Sequence, residues 1–303
     1  MRRLVAILAA SVITLGLTGP ALAAPGKSGD HAVMYYLSLG DSLAAGQQPI
    51  GDPDNGHRTN LGYADQLYTM ALAKYPTLQH VKLGCTGGET AATFIDGGIC
   101  DYPHGSQLDE AVSFLHAHRK FVAFVTIDIG WNDFPCQDGV SCIPEGLASI
   151  WSNLPVILDT LREAAGPDVP IVGATLYDPF LAYWLTYPQN PDGRSLAMLS
   201  VQAIAGPDGV PGPGGMKVII NDFVAGIYAS RGIPVADIEG AFSTEAWEPL
   251  VPLPGYYELV PLNVATICAY TWVCAQPPLG PDNHATTAGY HAMALAFSAK
   301  LFP

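Results

Sequence analysis

Charge is scarce in this chain. Only 13% of its 303 residues are Asp, Glu, Lys or Arg, and Lys and Arg together number 13 against 27 acids. The net charge of −14 and the lack of any Lys/Arg cluster beyond Arg2-Arg3 and Arg119-Lys120 argue against nucleic acid or an anionic membrane as a partner. The low charge does not mean disorder, because apolar residues reach 49% and supply ample core material. After the N-terminal stretch no uncharged apolar run reaches the roughly 18 residues needed to span a bilayer. No internal repeat and no domain-splitting linker is visible. There is no C-x-x-C, the spacing that would favour a zinc site.

The N-terminus reads as an export signal. Arg2-Arg3 form a positive region, Leu4 to Leu17 an apolar one, and Ala21-Leu22-Ala23 an A-x-A cleavage site. No cysteine follows for a lipid anchor, and the residues around the two arginines fit a twin-arginine signal poorly. The expectation is a secreted chain cut near Ala23: residues 1–23 signal peptide, 24–33 a flexible N-terminus, and 34–303 one domain. Six cysteines then suggest disulfides. Six allow fifteen pairings, and the spacing favours three local ones: Cys85 with Cys100, Cys136 with Cys142, and Cys268 with Cys274.

Met34 to Leu39 is a short apolar run that reads as a buried strand, and Gly40-Asp41-Ser42 turns sharply after it. Leu43 to Ala45 could open a helix. Further strands are expected at 81–83, 121–129, 170–177 and 233–238. The second runs into Gly87-Gly88, and the third delivers Gly130-Trp131-Asn132-Asp133. Helices are expected at 62–75, 106–118, 146–165 with an interruption at Pro155, 196–204, 216–230 and 287–302, and irregular chain from 240 to 280. Strands alternating with helices argue a doubly wound three-layer sandwich, whose parallel strands end along one edge where ligands bind.

Acyl transfer needs a nucleophile, a base, an orienter for that base and donors for the oxyanion. Ser42 can attack and His284, ahead of the last helix, can take its proton. The N–H groups of Ser42 and Gly88 and the amide of Asn132 can serve as donors. Glycine lets the backbone come close to a substrate, and an asparagine amide donates without carrying charge. Plainer readings fit the rest. Asp41 and Asp133 are expected to brace their loops. His31, His57, His80, His104, His116, His118 and His291 are taken as surface or helix histidines, and Gly51 to Gly56 as a turn cluster. Trp131, Phe134, Tyr177, Phe180, Trp184 and Trp272 could line an acyl pocket or simply pack.

These blocks resemble the SGNH (GDSL-type) hydrolase family: G-D-S-L at Gly40 to Leu43, G-G-E-T at Gly87 to Thr90, G-W-N-D at Gly130 to Asp133, and H-x-x-x-x-G-Y from His284 to Tyr290. The likeness spans the chain from first strand to last helix. It implies a flavodoxin-like α/β/α sandwich around a five-stranded parallel sheet, and ester hydrolysis with Ser42, Gly88, Asn132 and His284 in the roles above. The three cysteine pairs resemble those of secreted actinobacterial lipases and esterases. Two departures stand out. The family's acid precedes the histidine by three residues, where this chain has Pro281, with Asp282 only two before. The expectation is therefore a Ser–His dyad oriented by the carbonyl of Pro281, with the Asp282 carboxylate as the rival orienter. Ala285 stands where the family commonly has proline. The functional expectation is a secreted, monomeric serine esterase or lipase with no metal or cofactor, acting on a small-molecule or lipid ester. A carbohydrate acetylesterase, an acyltransferase and a non-catalytic binding module are the alternatives.

Overall fold

The computed structural model describes residues 32–135, 142–211 and 217–303. Its strands are β1 (Met34–Gly40), β2 (Leu78–Lys82), β3 (Val122–Asp128), β4 (Ile171–Ala174), β5 (Val210–Pro211), β6 (Lys217–Val218), β7 (Val235–Ala236), β8 (Leu250–Pro252) and β9 (Leu259–Pro261). Its helices are α1 (Tyr63–Ala71), α2 (Ala91–Asp96), α3 (Gln107–His118), α4 (Ile143–Ala165), α5 (Gly193–Ile204), α6 (Ile220–Ala229), α7 (Ile238–Ala241), α8 (Leu262–Tyr270) and α9 (Thr287–Leu301). A 3-10 stretch, Pro179–Thr186, follows β4.

Five strands form one parallel sheet in the order β2-β1-β3-β4-β7. Strand order reverses beside β1, as in flavodoxin-like sheets, and that switch point opens a crevice at the carboxyl ends of β1 and β3. Side-chain alternation assigns the two faces. Leu37, Leu39, Val125 and Ile127 point into a core shared with α2, α3, α4 and α6. Tyr36, Phe124 and Val172 point the other way, into a core shared with α1, α8 and α9. Both faces are covered, which explains why all seven residues of β3 are buried and read as a continuous apolar run. The result is the three-layer sandwich expected.

Several elements differ from expectation. The helix beginning near Gly62 ends at Ala71. The α4 helix runs unbroken through Pro155. Proline cannot donate to the carbonyl four residues back, but that carbonyl belongs to Trp151, which is 66% exposed and can turn to solvent. The stretch from 240 to 280 is not irregular throughout: it holds the β8–β9 hairpin and α8. After Ser42 the chain makes a turn rather than a helix, ending at Gly46 in a left-handed conformation.

Candidate active site

Gly40 ends β1, and its surroundings explain the residue. Its φ is +133°, and a Cβ there would meet the main-chain O and the Oδ1 of Asp128 at 2.0 Å. The first residue of α3, Gln107, is wholly buried and clamps this glycine from both sides. Its Oε1 accepts the Gly40 N–H at 2.7 Å, and its Nε2 donates to the Gly40 carbonyl at 2.9 Å. The next N–H, of Asp41, donates to the Asp128 carbonyl at 3.2 Å. Asp41 then folds its carboxylate back to accept the Leu43 N–H at 2.9 Å. This Asx turn presents Ser42 at the sheet's edge.

The hydroxyl of Ser42 lies 2.9 Å from Nε2 of His284. On the other side of the ring, Nδ1 lies 2.8 Å from Oδ1 of Asp282, which also accepts the His284 main-chain N–H at 2.8 Å. The orienting partner of the ring is thus the Asp282 carboxylate, and the expected Pro281 carbonyl is not its partner. The physical reason is local. An acid two residues back reaches the ring because the same oxygen closes a turn on the histidine's own N–H. A carboxylate can only accept, so Nδ1 carries the hydrogen and Nε2 is left to accept from Ser42. Partial burial opposes the charge on Asp282. The hydrogen bonds from the His284 ring and N–H outweigh it and hold the carboxyl below its ordinary value.

The histidine loop is held from outside as well. Tyr177 donates its hydroxyl to the Asn283 carbonyl at 2.7 Å. The Trp272 main-chain N–H donates to the His284 carbonyl at 3.0 Å, and its carbonyl accepts the Asp282 N–H at 3.2 Å. Trp272 lies inside the loop closed by the Cys268–Cys274 disulfide. The Cys85–Cys100 disulfide likewise brackets the Gly87-Gly88 loop. Both pairs match expectation; the Cys136–Cys142 pairing involves Cys136, which lies outside the described residues.

Asn132 follows β3 and donates its amide to the Glu89 carbonyl at 2.9 Å and to Oδ2 of Asp41 at 3.3 Å. Asp133 accepts from the Ala91 N–H at 2.9 Å and from the Ser149 hydroxyl, tying the loop to α2 and α4. Asp41 and Asp133 are therefore braces, as expected. Ser42, Gly87, Gly88, Asn132, His284 and Trp131 line one cleft of about 140 Å³. Gly88 has φ +93°, and among the described residues nothing lies within 4 Å of a Cβ built on it.

Beneath the cleft sits a group of acids. Burial pushes Asp41 up to about 7 and raises Asp128, Asp133 and Glu89 as well. Among the described residues neither buried carboxyl oxygen of Glu89 has a partner in hydrogen-bond geometry; burial outweighs the nearby Thr93 and Gln107 side chains and favours the uncharged form. Among the described residues Cys85, Glu89 and Cys100 cluster closely enough to suggest metal ligation, but the two sulfurs are already bonded to each other. Of the remaining histidines, expected at the surface or in helices, His31 lies outside the described residues and His80 departs from the expectation. It lies in β2, stacked on Tyr36 at 4.6 Å and bonded to the Ser38 hydroxyl at 2.8 Å, and burial depresses it to about 3.

Sequence reasoning missed the supports: Gln107, Glu89, Asp128 and the Trp272 main chain. Gln107 is 67 positions from the glycine it clamps, and no local pattern encodes that meeting.

No protein-family model matches this chain, and no curated protein matches it. Solved structures do. An acetylxylan esterase from Geobacillus stearothermophilus aligns at 17% identity over 89% of this chain and 94% of its own, with a TM-score of 0.50. A lipase from a goat rumen metagenome aligns at 14% identity over 88% and 97%, with a TM-score of 0.47. An α/β hydrolase from the metagenome of Lake Arreo, Spain, aligns at 18% identity over 88% and 94%, at 0.44. At this level of identity the likeness to the Geobacillus enzyme is one of fold.

Proposed function

We propose that the protein is a serine carboxylic-ester hydrolase of the SGNH type, exported from the cell. One observation carries the reading: Ser42, His284 and Asp282 form a continuous hydrogen-bonded relay, at 2.9 and 2.8 Å, opening into a cleft. Ser42 Oγ attacks the ester carbonyl while His284 Nε2 takes its proton. Asp282 keeps the ring in the tautomer that can do so and stabilises the imidazolium that forms. The developing oxyanion is met by the N–H groups of Ser42 and Gly88 and by the Asn132 amide, which exchanges its longer contact, to Asp41, for the substrate oxygen. His284 then protonates the departing alcohol, and water, activated by the same imidazole, frees the acyl group. The raised pKa values of the underlying acids fit this chemistry, since charged carboxylates there would oppose a developing oxyanion. Export is supported by the N-terminal signal pattern and by the two disulfides.

A second reading, removal of acetyl groups from carbohydrate, takes its support from the activity of the Geobacillus neighbour. The chain from Ala24 is to be assayed on p-nitrophenyl esters beside Ser42→Ala. Turnover that disappears in the variant is expected; turnover that persists removes Ser42 from the chemistry.

A further inference from the structure

A second and larger cavity, of about 340 Å³, adjoins the cleft. Asn283 lines both, and Pro281 of the same loop forms part of the second wall. Phe180, Ala182, Tyr183 and Val273 are among its other walls. Position and chemistry both restrict what it can hold.

The first cleft has the oxyanion donors Gly88 and Asn132 among its walls, together with the His284 loop. An ester seated there places its carbonyl oxygen toward the donors and its leaving oxygen toward His284 Nε2, which must protonate it. Whatever is attached to that leaving oxygen extends along the histidine loop, where Pro281 and Asn283 open into the larger cavity.

The walls of that cavity offer little to a polar guest. The Thr186 hydroxyl at its margin is already donated to the Tyr183 carbonyl at 2.7 Å. The Asn283 main-chain carbonyl is taken by Tyr177, which leaves the Asn283 side-chain amide and the Tyr183 hydroxyl as the polar groups the lining can offer. Phe180 and Tyr183 present parallel rings, 4° apart in plane and 5.9 Å between centroids, and Trp131 packs on Phe180 at 6.0 Å. Asp178 pins the start of this segment by accepting the Phe180 N–H at 2.9 Å. The surface is thus apolar, aromatic and already built. A sugar ring placed in it would meet those two groups alone and bury its other hydroxyls without partners, whereas an alkyl or aryl group meets no such penalty.

We propose that this cavity receives the alcohol portion of the ester, and that the preferred substrates are short-acyl esters of apolar aliphatic or aryl alcohols. The assignment rests on the hydrolase reading above and adds the substrate class to it.

The test compares two isomeric series on the full chain: acetates of alcohols from methanol to hexanol, and methyl esters of acids from acetic to heptanoic. In the acetate series kcat/KM is expected to rise about fourfold for each methylene buried, with little change in the methyl-ester series. A rise confined to the methyl esters would assign the cavity to the acyl chain and overturn the proposal. So would a preference for acetylated xylo-oligosaccharide over hexyl acetate. Val273→Trp, which fills the cavity, is expected to lower the hexyl-to-methyl acetate ratio of kcat/KM at least tenfold. An unaltered ratio would count against the assignment. Ser42→Ala separates the two levels of argument: activity surviving in it defeats the catalytic reading, whereas the ratio of rates tests the cavity alone.

Discussion

At the scale of the residue, the acid two positions before His284 decides how the imidazole ring is held. Asp282→Asn keeps the size of the side chain but can offer Nδ1 a donor where it needs an acceptor. It is expected to lower kcat by on the order of 10⁴ while leaving thermal unfolding nearly unchanged. A loss under tenfold in steady-state kinetics would return the orienting role to the main chain. Gln107→Leu addresses the other end of the site. It removes both partners that the side chain gives Gly40 and is expected to cost about 2 kcal/mol in urea unfolding, with kcat reduced because the serine turn loses its anchor. The two residues differ in legibility. Ser42, Asn132 and His284 sit in short blocks whose chemistry can be read locally. Asp282 stood in plain view, but its reach depends on a turn that spacing alone does not disclose. Gln107 acts across 67 residues and is invisible until the chain folds.

At the scale of the element, the strong signals were the ones confined to a single strand or helix. β3 is continuous and β-branched because both of its faces are covered. α3 begins where Ser106 caps it, accepting the Asp109 N–H at 3.1 Å. Two segments are not legible locally: the β8–β9 hairpin, whose prolines and turn tyrosines have weak preferences, and α8, whose β-branched Val264, Thr266 and Ile267 favour strand and whose form is set by packing. On the proposed reading the start of α9 matters most, since His284 lies two residues before its cap. Thr286 accepts the Gly289 N–H at 3.2 Å and donates to the Ala269 carbonyl at 3.1 Å. Thr286→Ala is expected to cost about 1 kcal/mol and to lower kcat more than KM, because it frees the segment carrying the base. Replacing both Cys85 and Cys100 by serine opens a loop of 15 residues. The expected cost is about 3 kcal/mol in chemical unfolding, with loss of oxyanion stabilisation as the Gly87-Gly88 loop slackens.

At the scale of the whole molecule, buried acids set the response to pH. Asp41, Asp178 and Glu239 are pushed up to about 7 by burial, and Asp128 is held well above its ordinary value. Between pH 4 and 7 the native state keeps protons that the unfolded chain has released, so the stability these groups contribute is full in acid and declines as pH rises. His80, depressed to about 3, works in the opposite sense: its contribution is lost as pH falls below its ordinary 6.5. Asp133 and Glu89 are raised as well, while Asp282, held low, acts with His80; six raised acids against these two leave a net decline, and the excess of 27 acids over 13 basic residues adds repulsion in the same direction. Calorimetry at constant ionic strength is expected to give a higher Tm at pH 5 than at pH 8. The reverse would mean that these carboxyls are ionised in the folded protein. The site also has a schedule written into it. Ser42 and His284 meet across 242 positions, so at ribosomal speeds the nucleophile precedes its base by about 10–50 s. Throughout that interval the growing chain carries a serine with no means of activation. On the proposed hydrolase reading, the chain is thereby kept from attacking the esters around it while it is still being made.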